Sequence, residues 1–221
     1  MLEKSAIPFH EIIEILVDEY EEEGWWPHES RFEIMLGAIL VQRTKWANVE
    51  KALDSLKKIT SLDPRSILSL ERHDLENAIR PSGFFMQKSE RILSLSSLLS
   101  ERFNSDSKKL FDLGVGSARE ILMDLNGIGP ETADTMLLYA GDKPVFIIDS
   151  YALRIYKRVS GSRSIPSIKH MQKCFIGPRK ITAGLSRHIH SAVVTHCQRT
   201  CKTRPSCTSC MINRYCEEAK K

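Results

Sequence analysis

A glycine hairpin constrains this chain more than any other stretch. From Ser117 to Ala140 the sequence reads Ser-Ala-Arg-Glu-Ile-Leu-Met-Asp-Leu-Asn-Gly127-Ile128-Gly129-Pro130-Glu131-Thr132-Ala-Asp-Thr-Met-Leu-Leu-Tyr-Ala. Ser117 with Glu120 has the spacing of a capping box and predicts the start of one helix. Gly129 followed by Pro130 predicts an N-cap and N1 pair that starts the next, since Pro at N1 has no amide to lose. Joining the two through Gly-Ile-Gly leaves backbone amides at a helix N-terminus. There, glycine admits a close neighbour and the helix dipole favours an anion. That arrangement suits a phosphate grip, and it equally suits an ordinary helical hairpin in a helical core.

Gly141 to Pro144 reads as a turn, Val145 to Ile148 as an apolar run, and Asp149 as the N-cap of a basic helix, twenty residues beyond Gly129. A lone Asp in that place is either a simple cap or a carboxylate held for chemistry.

Helical periodicity runs through nearly all of the chain, and strand signals are almost absent. Phe32, Met35, Leu36, Ile39 and Leu40 form one apolar stripe bounded by Arg31 and Glu33. Gly24, Pro27, Pro64, Pro81, Gly83, Asn104, Gly114, Gly116 and Gly127 divide the chain into helix-sized pieces. The predicted fold class is therefore all-α. No strand precedes the Gly114-Val115-Gly116 run, which argues against a dinucleotide site there.

Charge and cysteine are both segregated. The net charge of +4 divides into −9 over residues 1–150 and +13 over residues 151–221, so the C-terminal third suits a polyanion. There is no apolar run long enough to cross a membrane and no signal peptide, and an intracellular protein is expected. All six cysteines lie from Cys174 onward, four of them as Cys201-x5-Cys207-x2-Cys210-x5-Cys216. In such a setting packed cysteines bind metal more readily than they form disulfides, and four thiolates suit zinc or a [4Fe–4S] cluster equally.

The hairpin followed by Asp149 resembles the helix-hairpin-helix–Gly/Pro–Asp (endonuclease III) superfamily of DNA glycosylases, from Trp25 to Cys216. Trp25-Trp26-Pro27, Gln42-x-Thr44-Lys45-Trp46, Arg80-Pro-Ser-Gly-Phe84 and Gln87-Lys88 are similar to the 3-methyladenine DNA glycosylase III branch. The resemblance implies two helical lobes around a DNA cleft. Residues 31–140 would form a helical barrel ending in the hairpin, residues 1–30 with 141–221 the second lobe, and Asp149 would stand at their junction. It implies a [4Fe–4S] cluster on Cys201, Cys207, Cys210 and Cys216, zinc being the alternative. The first spacer is one residue shorter than in endonuclease III relatives, which leaves Cys197 as a substitute for Cys201.

The same resemblance assigns roles. Asp149 would stabilise the oxocarbenium-like sugar formed as the base departs, its charge favoured by the dipole of the helix it caps. Bifunctional relatives carry a Schiff-base Lys two residues after the second hairpin Gly, where this chain has Glu131; a carboxylate cannot form an imine. A monofunctional glycosylase without strong lyase activity is thus expected. Trp25, Trp26, Pro27, Trp46 and Glu131 would line the pocket for a flipped base, and aromatic faces favour a cationic alkylated purine such as 3-methyladenine. Core packing is the competing reading of the tryptophans. Gln42 would fill the gap left by that base, Phe84 would wedge into the stack with Phe85 as alternative, and Gly127, Gly129 and Thr132 would contact DNA. The expected partner is double-stranded DNA with a damaged or mismatched base, met in the cytoplasm by a monomer. The rival readings are a uracil or thymine mismatch glycosylase and a non-catalytic helix-hairpin-helix protein.

Overall fold

The computed structural model describes residues 7–20, 26 and 29–220; Gly24, Trp25 and Pro27 lie outside them. Among the described residues there are twelve α-helices and no strand, so the fold is all-α. They are α1 (Phe9–Glu19), α2 (Arg31–Leu40), α3 (Trp46–Lys57), α4 (Pro64–Leu68), α5 (Arg72–Ile79), α6 (Phe85–Phe103), α7 (Ser107–Asp112), α8 (Val115–Met123), α9 (Pro130–Thr135), α10 (Ser150–Ser160), α11 (Ile168–Ile176) and α12 (Ala183–Arg199). Side-chain caps start many of them. Ser30, Asp63, Asp106, Asp149, Ser167 and Thr182 each accept a backbone N–H from the first turn.

The chain divides into two compact units, one of residues 26–143 and one of residues 1–25 with 144–221. In the first, α2 is the central helix, packed against α3, α6, α7 and α9. Every residue from Phe32 to Leu40 is buried, as expected of a helix that is apolar nearly all round. Glu33 therefore does not bound the stripe at the surface. It is only 4% exposed, accepts from the Glu29 amide at 2.8 Å and pairs with Lys57 at 2.8 Å. A buried carboxylate of this kind needs both partners.

The capping box expected at Ser117 is not where α8 begins. Gly114 is the N-cap, at φ 88 and ψ 167, a conformation open to glycine, so the chain enters the helix three residues earlier and Gly116 and Ser117 lie inside it. The start of α9 is as expected, with Gly129 as N-cap and Pro130 at N1. That helix continues into a π-helical turn, Met136–Ala140, whose last carbonyl accepts from Arg31 at 2.5 Å.

The second unit is built on α12. It packs against α1 and α10, α1 also packs against α11, and the shared core includes Ile13, Leu16, Ile155, Met171, Phe175, Ile189 and Val193. The last turns of α12 deliver the chain to the cysteine-bearing segment.

Candidate DNA-binding and base-excision site

The hairpin is held by Gln42, which is held in turn by Arg91 of α6. Gln42, just past α2, donates from Nε2 to the Gly127 carbonyl at 3.1 Å and to Thr132 Oγ1 at 2.9 Å. Its Oε1 accepts from the Arg91 guanidinium. Arg91 lies so close to Gly127 that a Cβ there would sit 2.1 Å from Nε, and Gly127 has φ +80. The positive φ calls for glycine, and a Cβ would also push the Arg91 guanidinium aside. Gly129, by contrast, meets nothing within 4 Å, so its surroundings are open at the start of α9. No side chain caps that helix, which leaves its first amides available to an anion. Glu131 is exposed in the first turn, and buried Thr132 is tied to Gln42.

Across the hairpin, Arg119 of α8 and Asp134 of α9 form an ion pair at 2.6 Å. Asp134 is 7% exposed and its Oδ1 has no partner. Burial raises its pKa to about 6, outweighing the pull of Arg119.

Trp26 and Trp46 lie together. Their centroids are 5.0 Å apart at 68°, and Trp26 also meets Tyr139 at 5.0 Å and 32°. Gly37 makes this possible: a Cβ there would come within 3.2 Å of the Trp26 indole. The two tryptophans touch edge to face, whereas a base stacked between rings needs about 7 Å between them, two carbon contact distances. Trp46 also walls an open hollow of about 510 Å³ with Glu29, Glu33, Glu50, Asp54 and Lys57, the lysine paired with Glu29 and Glu33. Phe84 is 56% exposed, while its neighbour Phe85 is half-buried with the Arg80 guanidinium 4.4 Å over its ring.

In the other unit, Asp149 is 7% exposed and caps α10 by accepting the Ala152 amide at 2.7 Å through Oδ1. Its Oδ2 faces His190 Nε2 of α12 at 3.6 Å. One oxygen is thus fixed by the helix start and the other is turned to a polar partner.

The four C-terminal cysteines, Cys201, Cys207, Cys210 and Cys216, line a single cavity together with Arg158 and His196, and Cys197 is not among its lining residues. Cys201 Sγ accepts from Arg158 at 3.1 Å. A hydrogen bond from Cys197, joined by Arg158, holds the Cys201 thiol below its usual range and pushes the Cys197 thiol up. Burial pushes the Cys210 and Cys216 thiols up. Burial also lowers His196 to about 4, so it faces Cys210 at 3.5 Å as a neutral imidazole. Among the described residues, no three His, Cys, Asp or Glu side chains stand close enough to share an ion. The donor set is four cysteine sulfurs, the ligand type that zinc or an iron–sulfur cluster takes once they are deprotonated.

Comparison with known proteins decides the family. The model of the HhH-GPD superfamily base excision DNA repair proteins matches residues 36–176. The chain belongs to this superfamily. It is 32% identical over 217 residues to a provisionally designated DNA repair glycosylase of Methanocaldococcus jannaschii, covering 98% of this chain and 99% of that one. It is 28% identical over 189 residues to endonuclease III of Thermotoga maritima, covering 84% and 82%. Among solved structures, the H. pylori 3-methyladenine DNA glycosylase bound to 1,N6-ethenoadenine matches with TM-score 0.72 and 29% identity, over 87% of this chain and 98% of that one. This HhH-GPD protein is accordingly a base-excision DNA glycosylase that binds DNA.

Several residues that shape the site escape a reading of the sequence. Arg91, Tyr139 and His190 each act on a residue far away in the chain, and no local pattern marks them. Lys88 does leave a signal, a lysine in phase with the apolar face Ile92, Leu95 and Leu99 of α6.

Proposed function

We propose that this protein is a monofunctional DNA glycosylase that removes alkylated purines, 3-methyladenine foremost, from double-stranded DNA and leaves an abasic site in an intact strand. Two observations carry the reading: Asp149 is a buried helix cap, and the first turn of α9 carries Glu131 at the position where bifunctional relatives carry the Schiff-base lysine. Trp26, Trp46 and Tyr139 supply aromatic faces, with Trp25 and Pro27 beside Trp26 in the chain. Lys57 pairs with Glu29 and Glu33, and the remaining carboxylates beside Trp46, Glu50 and Asp54, favour a cationic base over a neutral one. The likeness to a 3-methyladenine glycosylase, over 98% of that protein's length, points the same way.

In this mechanism the hairpin amides at Gly127 and Gly129 hold a phosphate, Phe84 enters the disrupted stack beside Gln42, which is tied to the hairpin, and the target base is flipped out. As the N-glycosidic bond breaks, its electron pair leaves with the base and positive charge develops on the sugar. The Asp149 carboxylate, one oxygen fixed by Ala152, stabilises that charge. Its other oxygen takes a proton from the water that bonds to C1′. Cys201, Cys207, Cys210 and Cys216 would hold a [4Fe–4S] cluster, with Cys201 rather than Cys197 as first ligand because it lines the shared cavity. Bound there, the cluster would supply cross-links that order the basic C-terminal segment. The enzyme would work as a monomer in the cytoplasm.

The test is single-turnover excision from duplexes carrying 3-methyladenine, or uracil or thymine opposite guanine, with wild type and Trp46→Ala. Fastest release of 3-methyladenine is expected, with Trp46→Ala costing about 1–3 kcal/mol on that lesion and less on uracil. Fastest release of uracil or thymine would replace the substrate assignment. Iron with a broad visible absorption band is expected in purified protein, and zinc alone would overturn the cluster.

A further inference from the structure

Lys88 is fully buried, 1% exposed on the apolar face of α6. Its Nζ donates to the Leu40 carbonyl at 2.8 Å and to the Ser82 carbonyl at 2.7 Å. Burial, with the Arg91 charge, lowers its pKa to about 8. An ammonium held by carbonyls inside a helical core is costly, and it persists only where its geometry is needed.

The two carbonyls belong to the two segments facing DNA in the glycosylase reading. Leu40 ends α2, three residues before Arg43; Ser82 lies two residues before Phe84. Arg43 has φ 56 and Phe84 has φ 47, the left-handed region that bulky side chains avoid. Such conformations survive where neighbours over-determine them, and they gather at functional sites. The two side chains meet, with the Arg43 guanidinium 6.0 Å over the Phe84 ring, and both residues are exposed. Gln42, beside them, is engaged by Gly127, Thr132 and Arg91. The side chains presented outward are those of Arg43 and Phe84.

We propose that Arg43 and Phe84 act as one paired insertion element for double-stranded DNA, and that Lys88 is the positioning residue that pins their two turns together. The proposal rests on the reading of this chain as a glycosylase of duplex DNA. The ring enters between bases as an apolar wedge. The guanidinium, planar and always charged, stacks with the ring on one side and offers donors to base edges or phosphates on the other. Lys88 touches neither DNA nor base and works through the carbonyls of Leu40 and Ser82.

The experiment is a double-mutant cycle of Arg43→Ala and Phe84→Ala, both on exposed side chains, read by single-turnover excision and by the fluorescence of 2-aminopurine beside the lesion, which rises as insertion unstacks it. Phe84→Ala is expected to slow excision roughly tenfold and abolish the rise, and adding Arg43→Ala should cost less than about twofold more. An unchanged rate in Phe84→Ala would sink the wedge itself. Losses that multiply independently would leave the wedge standing and overturn the pairing. Lys88→Met should reproduce the Phe84→Ala loss of fluorescence and excision while keeping duplex affinity within about threefold, and combined with Phe84→Ala it should add little. Insertion fluorescence retained in Lys88→Met, or loss of affinity in parallel with excision, would overturn the role given to Lys88.

Discussion

Two helix starts, twenty residues apart in the chain, are built in opposite ways. At α9 the N-cap is Gly129 with open space around it and no side-chain cap, so the first amides stay available. At α10 the N-cap is Asp149, whose carboxylate closes on the Ala152 amide and is itself buried. One start invites an external anion, and the other carries its own. In the proposed mechanism the difference divides labour: α9 would hold DNA, and the carboxylate on α10 would meet the positive charge of the reacting sugar.

The largest expected effect comes from removing the charge at α10. Asp149→Asn keeps a capping side chain, so the fold should hold while single-turnover excision falls by roughly a thousandfold, the scale of losing a main electrostatic group. Affinity for a duplex carrying a non-hydrolysable abasic analogue should change little. Undiminished excision would make Asp149 a cap and nothing more.

Spoiling the hairpin should do the reverse. Gly127→Ala forces a Cβ onto Arg91 at a φ of +80, so it should cost more than about 1 kcal/mol of stability and weaken duplex binding by roughly tenfold. Denaturant titration and binding isotherms measure the two losses. Wild-type values in both would show that neither the close approach nor the conformation matters.

The smallest effect concerns the ion pair between the hairpin helices. Asp134 has a folded pKa of about 6, above its unfolded value of 3.8, so the native state binds more protons between those values. Its contribution to stability is fully present below pH 3.8 and is lost as the pH rises through about 6. Relative to Asp134→Asn, the wild type should gain stability as the pH falls across that window. Parallel stability curves for the two proteins would contradict the burial-driven shift.

How much of this was legible from residues alone follows from the range of the forces. Caps are local: Gly129 with Pro130, and Asp149, are readable because their partners lie within one turn. The same local logic misplaces the start of α8, because Ser117 with Glu120 satisfies the pattern while Gly114 supplies the backbone angle that turns the chain earlier. Glu33 looks like a surface boundary until Lys57 and the Glu29 amide close over it. Arg91 on Gly127, Trp26 on Gly37 and His190 facing Asp149 are contacts between distant parts of the chain. No period or spacing encodes them, and only packing brings them together. The spacing of the four cysteines leads to the expectation of a metal site, while the proposed preference for Cys201 over Cys197 rests on which thiol lines the cavity.

The division between the two helix starts is tested most directly by the product of a single turnover on lesion-bearing duplex, analysed on a denaturing gel with and without alkali and after borohydride. Because α9 carries the exposed carboxylate Glu131 in its first turn, the strand should remain intact until alkali cleaves the abasic site, and borohydride should trap no protein–DNA adduct. A strand already cut without alkali, together with an efficient covalent adduct, would show an amine doing the chemistry and would contradict the assignment of catalysis to Asp149.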